Sequence, residues 1–163
     1  MAMLAELLAP DGAGTALADP AAGRVVASRF GAIVVRRDAE VSFPNGLLGF
    51  GALRAFGLAS LPDERYRNFL VLQSLEDDAV AFLVRPLDPD AGPIASAEIA
   101  DACATLGIRR DDLALVLIVS VRRQNDKAML TVNLRAPLFI HAERRRGVQY
   151  VMPNGSYPIR YVL

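Results

Sequence analysis

Residues 130–152, LTVNLRAPLFIHAERRRGVQYVM, constrain the fold more than any other stretch, because apolar and polar side chains alternate there around a proline and an arginine-rich turn. Val132, Leu134 and Ala136 fall on one pleat face and Thr131, Asn133 and Arg135 on the other, the period of a half-buried strand. Pro137 removes a ladder donor, so a strand that reaches it has to bend, bulge or lie at an edge. Beyond it Leu138, Ile140 and Ala142 share a face, residues 143–147 supply a turn closed by Gly147, and Val148, Tyr150 and Met152 resume the alternation. The stretch predicts bent strands folded back on one another, and none of its residues points to catalysis.

The rest of the chain adds similar short elements. Residues 113–121, LALVLIVSV, are almost unbroken in apolar and β-branched side chains, which predicts a central strand covered on both sides. Residues 69–75 and 80–85 read as an antiparallel hairpin across the acidic turn 76–79, and residues 32–36 and 40–43 as two further strands. Pro44-Asn45-Gly46 marks a turn, residues 53–58 read as a helical turn, and residues 122–127 as a polar turn holding Asn125 and Asp126. One convincing helix starts at Ser96 as N-cap and stops before Gly107, with Ile99, Ala102, Cys103 and Leu106 as its apolar stripe. Many short strands with one small helix predict an all-β fold, an antiparallel β-sandwich or pseudobarrel.

At 163 residues and 53% apolar, the chain suits one domain that buries roughly two thirds of its unfolded surface. Residues 1–24 form an extension rich in alanine, glycine and proline, with a helical turn around residues 3–8, and residues 25–163 form the single domain. No run approaches the roughly 18 uncharged apolar residues of a membrane span. Residues 1–9 are apolar, but they lack a basic start, carry Glu6 and end at Pro10-Asp11, unlike a signal peptide. A lone Cys103 forms no internal disulfide, and the expected location is the cytoplasm.

The net charge of zero hides an asymmetry. Residues 76–112 carry nine acids against three bases, and residues 113–163 carry two acids against eight bases. Two readings stay open: opposed faces that steer charged partners, or segments that interleave and cancel.

No constellation of residues supports an enzyme. His141 is the only histidine and lacks the partners a catalytic triad requires, and Ser42, Ser120 and Ser156 sit in no nucleophile elbow. One histidine and one cysteine do not make a zinc site, and Asp88, Asp90 and Asp101 lack the spacing of a calcium loop. No cofactor is expected, since Gly46, Gly49 and Gly51 follow no phosphate-loop pattern. The turn Arg144, Arg145 and Arg146 is read as a solvated tip, a protein contact or a phosphate contact. No aromatic platform interleaves with it, and only Phe139 and Tyr150 flank it, which weakens the nucleic-acid reading.

Taken in order, FPNGLLGF at 43–50, residues 69–90, residues 113–121 and residues 131–152 resemble the flagellar assembly factor FliW family. The motif residues are Phe43, Gly46, Gly49 and Phe50 in the first piece and Asn133, Pro137, Gly147 and Gln149 in the last. Leu48 stands where the family commonly has proline. The resemblance implies a small β pseudobarrel that binds flagellin and a CsrA-type RNA-binding regulator, with no direct nucleic-acid or membrane contact. Glu76, Asp77, Asp78 and Asp88 are then candidate contacts for a basic partner, and Arg144, Arg145 and Arg146 for a second one. The alternatives are a β-barrel module that binds nucleic acid through its basic C-terminal half, and a ligand-binding barrel.

Overall fold

The computed structural model describes residues 23–124 and 127–163. In chain order they form β1 (Gly23–Ser28), β2 (Gly31–Arg36), β3 (Glu40–Ser42), β4 (Ala55–Ser60), β5 (Leu70–Ser74) and β6 (Ala81–Pro86). The helix α1 (Ser96–Leu106) follows, then β7 (Leu113–Gln124), β8 (Lys127–Val132), β9 (Leu138–His141), β10 (Arg146–Gln149) and β11 (Tyr161–Val162). Among the described residues the fold is all-β with one short α-helix, as expected.

Closure depends on β7, which is long enough to serve two neighbours along one edge. Its first half pairs with β9, Leu113 opposite His141, and its second half pairs with β8, Val119 opposite Val132. The opposite edge pairs with β6 over Val116 to Val119. Strands β3, β4, β5, β6, β7, β9 and β10 therefore close on themselves, while β8 and β11 continue the sheet outward. All pairings are antiparallel except the contact of β10 with β3, which is parallel at Arg146 and Ser42. Closure satisfies backbone donors and acceptors that an open sheet would leave unpaired.

Period-two alternation sorts the strands into layers. Val41, Phe56, Leu58, Leu70, Leu72, Val84, Val116, Leu138 and Ile140 fill the barrel together with Phe43 and Leu47. The intervening residues on β7, Leu113, Leu115, Leu117 and Val119, face outward and meet Ile99, Ala102 and Cys103 of α1. On the other side the β1–β2 hairpin lays Val26, Ile33 and Val35 over Ala59, Val71 and Ala81. Each fully buried Leu, Ile or Phe contributes about 1.5–3 kcal/mol. Two covered faces explain why β5 and the first half of β7 read as continuous apolar runs.

Several local expectations are corrected. Residues 53–58 are no helical turn: β4 begins at Ala55, Phe56 and Leu58 enter the barrel while Ala59 lies under the hairpin, and burial on both faces erases the strand alternation. The strand before Pro137 ends at Val132, because the Asn133 side chain accepts the N–H groups of Arg135 at 3.0 Å and Ala136 at 3.1 Å, a local turn that competes with the ladder. Ser96 is the first helical residue and not the N-cap, which is Ala95; the Ser96 hydroxyl donates to Asp90 instead. Gly107 ends the helix at φ 65°, as expected. Strands β7 and β8 reach into the expected polar turn, with Asn125 and Asp126 outside the described residues. The expected helical turn around residues 3–8 lies outside them too, and β1 begins at Gly23.

Candidate protein-binding surface

Two consecutive turns build the loop after β3. The Phe43 carbonyl accepts from Gly46 N–H at 2.8 Å, and the Leu47 carbonyl accepts from Phe50 N–H at 2.7 Å. Gly46 and Gly49 adopt φ of 64° and 83°, a region that L side chains avoid. Phe43 and Leu47 plug the barrel, whereas Leu48 is 62% and Phe50 37% exposed. The Phe50 ring meets Phe82 edge-on, with centroids 5.1 Å apart.

The second motif lies against the first. Gln149 Nε2 donates to the Ala136 carbonyl at 3.2 Å, and Gln149 Oε1 accepts from Leu48 N–H at 2.8 Å. One half-buried amide thus ties residues 43–50 to residues 133–137, although each is remote from the other in the chain. Replacing Gln149 with alanine should cost about 1–2 kcal/mol, two neutral hydrogen bonds in a partly buried setting, in urea unfolding. Glutamate keeps the acceptor for Leu48 and loses the donor for Ala136, so it should recover only part of that loss.

Gly147 does not close the arginine turn. It lies in β10, where a Cβ would meet the Phe43 ring at 2.5 Å, so the glycine allows β10 to approach β3. The turn itself spans residues 142–145, and Arg145 takes the left-handed conformation at φ 50°. Arg145 Nη1 donates to the Arg37 carbonyl at 3.0 Å, and the Arg145 carbonyl accepts from Ser42 N–H at 2.9 Å. Arg144 and Arg146 are exposed and line a cleft of about 330 Å³ together with His141, Pro44, Asn45 and the end of α1 at Leu106. His141 is 7% exposed and its Nδ1 accepts from Arg144 N–H at 3.4 Å, so it braces the turn. Asp112, also buried, receives the Arg109 guanidinium at 2.7 Å, which holds its carboxyl below the usual range against the opposing effect of desolvation. Cys103 is packed between α1 and β7, and burial pushes its thiol up.

The four acidic candidates sit on two turns. Glu76 accepts from Ala55 N–H at 2.8 Å and from Arg54 N–H, and these two donors hold its carboxyl below the usual glutamate range. A lowered folded value means that the contribution is complete above the ordinary glutamate range and is lost as pH falls through the folded value. The Arg54 and Ala55 amide resonances should titrate with a midpoint below that ordinary range, and Glu76→Gln should abolish the titration. Asp77 accepts from Ala79 N–H, Asp88 accepts from Asp90 N–H, and Asp78 lies 3.8 Å from Arg24 in an exposed pair. Glu76 is thus a fastener of the turn, while Asp77 and Asp78 stand outward on it.

Charge does not segregate by segment. Strand β6 of the acidic segment pairs with β7 of the basic one, and Arg110 joins Asp90 and Ser96 within the acidic segment itself. Among the described residues no three of His, Cys, Asp and Glu converge to hold a metal ion, and no helix is long and apolar enough to cross a membrane.

Comparison with known proteins agrees with this architecture. The chain is 35% identical over 141 residues to the flagellar assembly factor FliW of Syntrophus aciditrophicus (strain SB), covering 85% of each chain. It is 32% identical over 143 residues to that of Caldicellulosiruptor bescii, covering 85% of this chain and 90% of the relative. The fold superposes on a crystal structure of the flagellar assembly factor FliW with a TM-score of 0.61 at 24% identity, covering 86% of this chain and 95% of the other. The family model described as FliW protein matches residues 24–163, and the chain belongs to the FliW family.

Proposed function

We propose that this chain is a cytoplasmic flagellar assembly factor, a binding protein without chemistry of its own, that holds flagellin and, once flagellin is exported, captures a CsrA-type translational regulator. The observation that carries the binding role is the Gln149 bridge, which holds the two motif loops as one preorganised surface with Leu48 exposed on it. Preorganisation lowers the ordering cost that a loop-built interface otherwise incurs. A basic CsrA-type partner suits the outward carboxylates Asp77 and Asp78, and the exposed Arg144 and Arg146 suit a second, acidic contact. Occupancy by one partner then lowers availability to the other by mass action.

The test is co-purification with flagellin and with the CsrA-type protein, each in competition with the other. Mutual displacement is expected, and Asp77→Lys with Asp78→Lys should weaken the CsrA-type complex while leaving flagellin bound. Failure to bind either protein at micromolar concentration sinks the reading, and simultaneous binding without interference sinks the exchange mechanism. Nucleic-acid binding through Arg144 and Arg146 would show itself by steep weakening as salt rises.

A further inference from the structure

The register of β6 and β7 leaves a gap in an otherwise closed barrel. The two strands pair only from Leu83 opposite Val119 to Pro86 opposite Val116. Beyond Val119, β7 continues to Gln124 with β8 on one edge, and its other edge has no strand partner among the described residues. Ala81 and Phe82 of β6 pair with β5 alone. Two facing strand edges are therefore open at the same place, and the notch between them has a volume of about 490 Å³.

Side chains give this notch two chemically different sides. Alternation puts Ile118, Ser120 and Arg122 on the face toward the barrel interior, and Val119, Val121 and Arg123 on the outer face. On the inner side Ile118 and Phe82 pack against the barrel core, and the motif residue Phe50, 37% exposed, stands against Phe82. On the outer side Val121 is 55% exposed, and Arg29 reaches the notch from the β1–β2 turn, its guanidinium over the Phe30 ring. Arg29, Arg122 and Arg123 make no ion pair among the described residues.

We infer that this notch is a strand-addition site for an extended segment of a partner protein in which apolar and acidic residues alternate. The segment pairs with the free edge of β7, sends its apolar side chains toward Phe50, Phe82 and Ile118, and sends its carboxylates toward Arg29 and Arg123. Main-chain hydrogen bonds to an open edge supply affinity and the alternate side chains supply specificity. The arginines select the sign of the partner's charge, and the same charges repel a second copy of this edge. The inference goes beyond the flagellin and CsrA-type reading: the notch adjoins the motif loop at Phe50 and the acidic turn at Ala79, and its partner is named only by its chemistry.

A synthetic heptapeptide of alternating valine and glutamate, titrated into the full chain by fluorescence anisotropy, tests it. The expected result is saturable binding, about tenfold weaker for the valine–lysine counterpart, with new hydrogen-exchange protection confined to the amides of Val121 and Arg123, which point to the open edge while those of Ser120 and Arg122 point to β8. Arg123→Glu, an exposed change that leaves the barrel packing intact, should invert the preference. Equal affinity for both peptides, or protection elsewhere, overturns the proposal. Amides of Val121 and Arg123 already protected in the free chain also overturn it: concentration-independent protection would put another part of this chain in the notch, and concentration-dependent protection a second copy.

Discussion

Truncating Phe43 to alanine should lower the unfolding free energy by about 3–5 kcal/mol, the largest loss expected from a single substitution in this barrel. Phe43 has no exposed surface, and its ring meets Phe56 nearly perpendicular at a centroid distance of 5.6 Å. It also occupies the space that β10 leaves free: a Cβ on Gly147 would lie 2.5 Å from Phe43 Cε1 and 2.6 Å from Cζ. Gly147→Ala alone should therefore cost about 1–3 kcal/mol through overpacking, since a buried aromatic ring has little room to move. The two changes act on one volume, so the double variant should be less destabilised than the sum of the singles. Urea unfolding of the cycle checks this, and strict additivity would mean that the β3–β10 junction does not rest on the Phe43–Gly147 contact.

Gly46→Ala should cost about 2–4 kcal/mol, combining a left-handed backbone at φ 64° with a steric conflict. The added Cβ would lie 2.6 Å from Gly51 Cα and 2.7 Å from the Phe50 carbonyl oxygen, both backbone atoms that no rotamer change can move aside. Residues 47–51 would have to shift together, taking Phe50 away from Phe82. Asparagine at position 46 tolerates the backbone angle and keeps the conflict, so it should be nearly as damaging. Gly49→Asn is the control, since φ is 83° there and a Cβ would meet no atom within 4 Å, and it should be mild. If Gly46→Asn proves as mild as Gly49→Asn in urea unfolding, the close approach to residue 51 is not what demands glycine.

The elements that are legible in the sequence are those whose burial pattern is local. The β5–β6 hairpin, α1 with its stop at Gly107 and the core run of β7 each carry their periodicity within a few residues. Misreadings fall where a distant segment changes the pattern. Residues 53–58 lack alternation because the β1–β2 hairpin, well before them in the chain, covers the second face of β4. Gly147 reads as a turn residue from its neighbours, and only the Phe43 ring reveals it as a packing glycine. Asn133 is the local exception: it reads as a strand residue on alternation alone, yet its side chain captures the backbone donors of Arg135 and Ala136 and ends β8. Glu76 is likewise engaged with Arg54 and Ala55, partners its own neighbourhood does not announce.

By itself the sequence determined the all-β class, the helix before Gly107 and the β5–β6 hairpin, because side-chain period and turn chemistry are properties of neighbouring residues. Tertiary structure alone decided the closure of β7 onto β9, the parallel contact of β3 with β10, the Gln149 tie between two motifs and the notch between β6 and β7. Each of these depends on register between segments far apart in the chain, and a one-residue slip in register would change which side chains meet without altering any local pattern.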